Sequence, residues 1–377
     1  MIFLTCFSTR LIIFFCAILV GISGCAVKNE PAGPVSADAP GGGSELKIAV
    51  LPVVNMSGTP APLHTINQAL INSLNRKALN ILVPDVVESV ITKHRIRYLG
   101  GINHTTSRVF RKEAGVEAVL ITSLELYSEM APPKIALTSR LVSTAKHMPV
   151  LWMRGIGLAG NESPGLLDLR LVEDPQVLLK SAVQTLSSLL ARFLSGRADG
   201  AESQRIRNIF QPRASFRAPI LDSEMQYRVA VIPFFNVSER KHAGEMIALQ
   251  FVKTLNAYDN FFVIEPGVVR QTLLDMRIIM QDGLSLADAD LIFSRLKADL
   301  VLSGNIMDYQ DYKGFDGRPR VDFSAQIIAK KNREIVWVVK SYNQGDDRVF
   351  FFDWGKVHTA YAMTTKMVQL AVEDLVQ

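Results

Sequence analysis

Ten residues, IAVLPVVNMS from Ile48 to Ser57, return as VAVIPFFNVS from Val229 to Ser238, with Ala, Val, Pro, Asn and Ser in the same places. A β-branched apolar run that stops at proline reads as a short buried strand followed by a turn. Its repetition constrains the chain more than any other feature, because the residues that follow keep the same spacing. At an offset of 181, Ile66, Leu70 and Leu74 fall on Ile247, Phe251 and Leu255, four apart on one helical face in both places. With one residue gained, Pro84, Val86 and Val87 fall on Pro266, Val268 and Val269, and Gly101, Ile102 and Asn103 on Gly283, Leu284 and Ser285. Asn103 and Ser285 suit the N-cap of a helix, and each precedes a helix-like stretch, HTTSRVFRKEAG or LADADLIFSRLK.

The repeat continues through EAVLITSLELY and DLVLSGNIMDY, in which Leu120 matches Leu302 and Tyr127 matches Tyr309. Two further strands in each copy follow, with Trp152 and Trp337 coinciding, and each copy ends in a helix, Pro175 to Leu194 or Lys356 to Val376. The pattern predicts an α/β fold: two tandem copies of a β-α-β-α-α-β-β-β-α sandwich domain with helices packed on a mixed sheet. At 377 residues the chain is long enough for two cores. The expected domains are 45–194 and 227–377, joined by a linker at 195–226 with Arg197, Arg205, Arg207, Arg213 and Arg217 and few apolar residues. A solvated linker and a basic strap for anionic lipid or a partner are both open readings.

Residues 1–24 read as an export signal, with Arg10, the short apolar run LIIFFCAILV and the closing ISG before Cys25. The apolar run is too short for a comfortable membrane span. ISGC resembles a bacterial lipobox, in which small residues admit the signal peptidase and the Cys25 thiol takes the diacylglycerol; a plain secretory signal is the alternative. Cys6 and Cys16 lie within the removed segment, so Cys25 would stand alone in the mature chain, with no disulfide to support the fold. Two or three acyl chains anchor stably where one is marginal. Ala26 rather than aspartate after the cysteine favours the outer membrane. Residues 25–44 then form a lipidated, flexible tether rich in Pro, Gly, Ala and Ser. The net charge of +5 is modest, and in an exported chain it argues against nucleic acid as a partner.

VAVIPFFNVS, the helix behind it, the Val263 to Pro266 segment, QDGLSLADAD and LKADLVLSGNI together resemble the CsgG-like and TolB N-terminal-like lipoprotein superfamily, which includes the curli production assembly/transport component CsgG. The resemblance covers both copies and implies a lipid-anchored accessory protein of the outer membrane or periplasm. The CsgG channel inserts hairpins whose strands need about 9 to 11 residues each. Here the strands are accounted for by the two cores, so a periplasmic module is expected rather than a pore.

Little points to chemistry. The six histidines, His64, His94, His104, His147, His242 and His358, are scattered and form no metal-binding spacing. No G-x-S-x-G elbow or P-loop occurs, and the acids Asp282, Asp288 and Asp290 miss the EF-hand pattern and suit a first helical turn. The chain is therefore expected to be no enzyme and to use no cofactor or metal. Asn55 with Ser57, and Asn236 with Ser238, stand in the turn after each opening strand. They are read either as turn-shaping residues or as ligand contacts at a strand end. Two functions follow from these expectations. The first is a non-catalytic, periplasm-facing lipoprotein that works through membrane attachment and envelope protein partners, with further copies of itself among the candidates. The alternative is a small-ligand or glycan-binding lipoprotein auxiliary to a transporter.

Overall fold

The computed structural model describes residues 46–162, 171–197, 208–219, 222, 225–278, 283–314, 317–347, 349 and 355–376, all of them in one compact unit, Ala39–Gln377. Cys25, the signal and tether at 1–44 and linker residues 198–207 lie outside the described residues.

The fold is mixed α/β with two mixed sheets. In the first copy the strands are β1 (Ile48–Val50), β2 (Val54–Asn55), β3 (Ala118–Ser128), β4 (Lys134–Ser143) and β5 (Val150–Ala159), with helices α1 (Leu63–Arg76), α2 (Pro84–Lys93), α3 (His104–Ala114) and α4 (Pro175–Leu194). The sheet runs β1-β3-β4-β5, with β2 also paired to β3. After a linker strand β6 (Ala214–Arg217), the second copy supplies β7 (Tyr227–Val231), β8 (Phe235–Asn236), β9 (Phe261–Val263), β10 (Leu300–Gln310), β11 (Arg320–Ala329) and β12 (Glu334–Gln344). Its helices are α5 (Ala243–Leu255), α6 (Pro266–Asp275), α7 (Leu286–Leu296) and α8 (Ala360–Val376). The second sheet runs β6-β12-β11-β10-β7-β9, with β8 on β10.

The registers repeat residue for residue. Ile48 pairs with Ala118 in parallel as Val229 pairs with Leu300, and Leu120 opposes Leu141 as Leu302 opposes Ile327. Even the bulge is kept: the ladder skips Glu125 in β3 and Met307 in β10. The helix starts follow from their caps, since the Asn103 and Ser285 side chains accept from the backbone N–H three residues on.

Part of the linker, read from sequence as either solvated or a basic strap, is a structured piece of the second sheet. β6 lies antiparallel on β12, Trp337 opposite Arg217, and the buried Phe210 of a short 3-10 turn joins the core. The open edge of β12 offers unpaired backbone groups, and the linker satisfies them.

The two copies are docked head to tail. One face of the first sheet, with Leu120, Leu124, Leu141 and Trp152, packs on Ile66, Leu70 and Leu74 of α1 and on Leu179, Val183 and Leu186 of α4. The opposite face carries Ser123, Glu125, Thr138, Arg140 and Met153, all buried, and is covered by α5, the start of α6 and α8 of the second copy. On their other side α5 and α8 pack on the second sheet, where the Phe251 ring stacks on Phe234 and meets Phe323 and Trp337 edge-on. One apolar cluster therefore runs from Val119, Ile121 and Met153 of the first copy to Phe251 and Trp337 of the second. Among the described residues two surfaces are left at least partly free in this arrangement: the outer side of α1 and α4, and the part of the outer face of the second sheet that α7 does not cover, around Met307 and Lys340.

Candidate functional site

The two Asn-x-Ser turns have the same internal wiring. Asn55 Nδ2 donates to the Thr59 carbonyl at 2.8 Å, while its Oδ1 accepts from Ser57 N at 2.9 Å and from Ser57 Oγ at 2.6 Å. Asn236 Nδ2 donates to the Arg240 carbonyl at 2.7 Å, and its Oδ1 accepts from Ser238 N at 3.1 Å and Ser238 Oγ at 2.6 Å. All four side chains thus close their own turn, as Asx and Ser residues do.

Docking brings the two turns side by side. A Cβ on Gly58, which sits at φ +73°, would lie 2.9 Å from Arg240 Nη1, and Arg240 Nη2 donates to the Glu125 carbonyl at 2.5 Å. A cleft of about 1000 Å³ opens here, lined by residues that include Ser57, Thr59, Tyr127, Lys134, Arg240 and Asp311. It stands at the carboxyl ends of the parallel strands, a common ligand position in α/β sheets. Lys134 Nζ lies 3.2 Å from the centre of the Tyr312 ring and donates to the Tyr312 carbonyl at 2.8 Å; burial brings its amine down to about 8. Burial pushes the Asp311 carboxyl up, and its Oδ1 accepts from Ala360 N at 2.7 Å at the start of α8. The buried Arg240 Nε has no partner among the described residues. These groups can hold a polar ligand.

Between the copies runs a polar seam that sequence reasoning did not single out. Arg140 Nε donates to Glu265 Oε2 at 3.1 Å and Arg140 Nη2 to Glu265 Oε1 at 2.9 Å, with a further bond from Nη2 to the Gly100 carbonyl at 2.6 Å. Burial works against the Arg140 charge, but Glu265 beside it holds the guanidinium above its ordinary value. Glu265 stands at the start of α6, where Gly267 meets the first copy backbone to backbone: a Cβ there would lie 2.4 Å from Ile102 N. Asn103 Nδ2 donates to Gln271 Oε1 at 3.2 Å. Further along, burial pushes the Glu125 carboxyl up and the facing Lys253 amine down. Tyr361 of α8 fills a slot over two glycines: a Cβ on Gly155 would lie 1.7 Å from its hydroxyl oxygen and one on Gly157 2.5 Å from Cδ1. The only sequence signal for this seam was charge within apolar strand and pre-helix stretches, SRLV and IEPG.

The same sheet face in the second copy is covered by α7 near Val301 and Ser303 and, among the described residues, is open beyond them. Matching registers place Asn305 where the first copy has Ser123, Ser324 for Thr138, Gln326 for Arg140, Val338 for Met153, Lys340 for Gly155 and Tyr342 for Gly157. A cavity of about 460 Å³ lies between this face and the start of α7, lined by Ser285, Asp288, Ser303, Asn305 and Gln326 among others. In the first copy the equivalent place holds the start of α6. Ser303 Oγ and Asn305 Oδ1 are buried without a partner among the described residues. Met307 and, from β6, Phe216 stand 49% and 56% exposed on the same face.

No protein-family model and no curated protein sequence matches the chain. Among solved structures it is similar to a PelC dodecamer from Paraburkholderia phytofirmans, at 18% identity over 43% of this chain and 96% of that one, with a TM-score of 0.29. It is also similar to lipoprotein GNA1162 from Neisseria meningitidis, at 17% identity over 38% of this chain and 99% of that one, TM-score 0.27. A third is the LpoB C-terminal domain from Salmonella enterica, at 16% identity over 33% of this chain and 87% of that one, TM-score 0.26.

Of the residues singled out in the sequence, the structure brings the turns of Asn55, Ser57, Asn236 and Ser238 to one cleft, with Ser57 in its lining. Cys25 lies outside the described residues. Among the described residues, no three of His, Cys, Asp and Glu converge as metal ligands.

Proposed function

We propose that the chain is a lipid-anchored, periplasm-facing envelope protein of CsgG-like kind that acts without catalysis, by contacts with protein partners in outer-membrane assembly, secretion or envelope maintenance. One observation supports this reading above the others: the fold already uses its sheet face as a protein-docking surface in the first copy and leaves the Met307 part of the same face exposed in the second. The exposed Phe216 and Met307 beside the polar rim of Arg320, Asp322 and Lys340 have the mix of apolar anchors and charge found at protein interfaces. A photo-crosslinking residue at Met307, in cells, should trap a defined envelope protein, whereas the same residue at the exposed Leu274 of α6 should not. Equal labelling from both positions would sink the proposal. For the anchor, fatty-acid labelling should be lost in Cys25→Ser, and labelling that survives would refute acylation at that residue.

The 1000 Å³ cleft between the turns favours a second reading, a small-ligand or glycan binder. Thermal unfolding with a panel of envelope sugars and metabolites separates the two, since only ligand binding raises the melting temperature.

A further inference from the structure

Head-to-tail contacts have a property that symmetric ones lack: each leaves one unused copy of each surface, so the same contact can be repeated without limit unless something stops it. Here the unused pair is the helix face of the first copy and the sheet face of the second. We infer that this chain carries a latent self-docking pair that is silenced by side chains at both ends, so that the two-copy stack does not continue into a third.

At the helix end, the groups that make the internal contact are replaced. Helix equivalence at the offset of 185 that superposes Leu179, Val183 and Leu186 on Thr364, Val368 and Ala371 puts Gln176 where the second copy has Tyr361. The α1 and α5 offset of 181 puts Thr65 and Gln68, both exposed, where Met246 and Leu249 are buried. At the start of α2, Val83 stands for Glu265 and Asp85 for Gly267. That last position admits no side chain in the internal contact, because a Cβ would lie 2.4 Å from Ile102 N and 2.5 Å from its carbonyl oxygen. An aspartate there cannot approach a backbone in the same way.

At the sheet end the slot itself is filled. The two glycines that make room for Tyr361 become Lys340 and Tyr342, and the arginine that receives Glu265 becomes Gln326. Tyr342 is held in place by the Arg213 guanidinium, 4.2 Å from its ring centre. Gly283 and Leu284 line the 460 Å³ cavity at the register of Gly101 and Ile102, but Gly283 turns to φ +127° with nothing within 4 Å of its Cβ position, so the socket keeps its place while its fit to a further copy is lost. Polar outer faces on end repeats are how repeat proteins stop stacking, and steric or unpaired groups against the wrong partner are how interfaces exclude it. This inference concerns which partner the open face refuses, and holds whatever protein that face receives.

The test is a gain of function by exchange. One variant opens the helix end, Asp85→Gly with Gln176→Tyr; another opens the sheet end, Lys340→Gly with Tyr342→Gly and Gln326→Arg. Sedimentation velocity of the full chain in density-matched detergent should give a single monomer for wild type and for each variant alone. An equimolar mixture of the two variants should shift to twice the mass. Variants that melt like wild type yet stay separate on mixing would overturn the inference. Wild type supplies an independent measurement if an opened variant fails to fold. A mass that stays monomeric as concentration rises supports the inference, and a mass that grows and returns to monomer in Asp85→Arg overturns it.

Discussion

Arg140 of the first copy and Glu265 of the second form a forked ion pair in which both side chains are sealed from water, 2% and 0% exposed. Such a pair contributes little net stability, because desolvation offsets the attraction, but removing one member strands the other. Arg140→Met should cost about 3–5 kcal/mol in denaturant unfolding. The double variant Arg140→Met/Glu265→Met should recover most of that loss. Equal losses in single and double variants would show that the guanidinium fork acts through packing alone.

The Tyr361 slot makes a second quantitative case. Gly155→Ala places a methyl 1.7 Å from the Tyr361 hydroxyl oxygen and 3.0 Å from Cζ, so the strand or the helix must shift. Overpacking of this kind costs about 1–3 kcal/mol. In a Tyr361→Phe background the nearest clash is gone, and the same substitution should cost less than half as much by thermal unfolding.

Glu125 sets a pH dependence. Burial pushes its carboxyl up to about 7 from an ordinary value of 4.5, so the folded state binds a proton that the unfolded state releases. Stability from this group is therefore full at low pH and lost as pH rises from 4.5 through about 7. Lys253 beside it is lowered only to about 8, so it stays protonated across that window and does not reverse the sign. Melting temperatures of wild type should fall between pH 5 and 7 relative to Glu125→Gln, whose profile lacks this decline.

The paired turns can be tested against each other. Asn55→Ala and Asn236→Ala each remove the same three hydrogen bonds and should each cost about 1–3 kcal/mol. Matched losses in equilibrium unfolding identify both asparagines as braces of the chain. A loss at neither position would leave ligand contact as their role.

Much of the architecture could be read from spacing. The offset of 181 and then 182 located both copies, and Asn103 and Ser285 marked helix starts that the structure reproduces. Local periodicity carries that information because caps, turns and apolar faces are short-range features. The contact between copies is of another kind. Arg140 and Glu265 lie far apart in sequence, and nothing near either names the other. Gly155 and Gly157 carry no local sign of the Tyr361 ring that packs over them, because that ring comes from a helix far along the chain. Likewise the arginines of the linker dominated its appearance, while Phe210 and the pairing of Ala214–Arg217 with β12 depended on a sheet edge supplied later in the chain. The turn residues were visible as a motif, but their meeting through Gly58 and Arg240 follows only from docking.

The apolar cluster that passes from Val119 and Met153 to Phe251 and Trp337 binds the two copies into one folding unit. The two copies share one pattern but are not interchangeable, because each buries a different face against the other. Cutting the linker would not release two working modules, because the first would bare an uncovered sheet and the second the helices that had covered it. Each half serves as the other's solvent shield, and parting them would expose core to water on both sides of the contact.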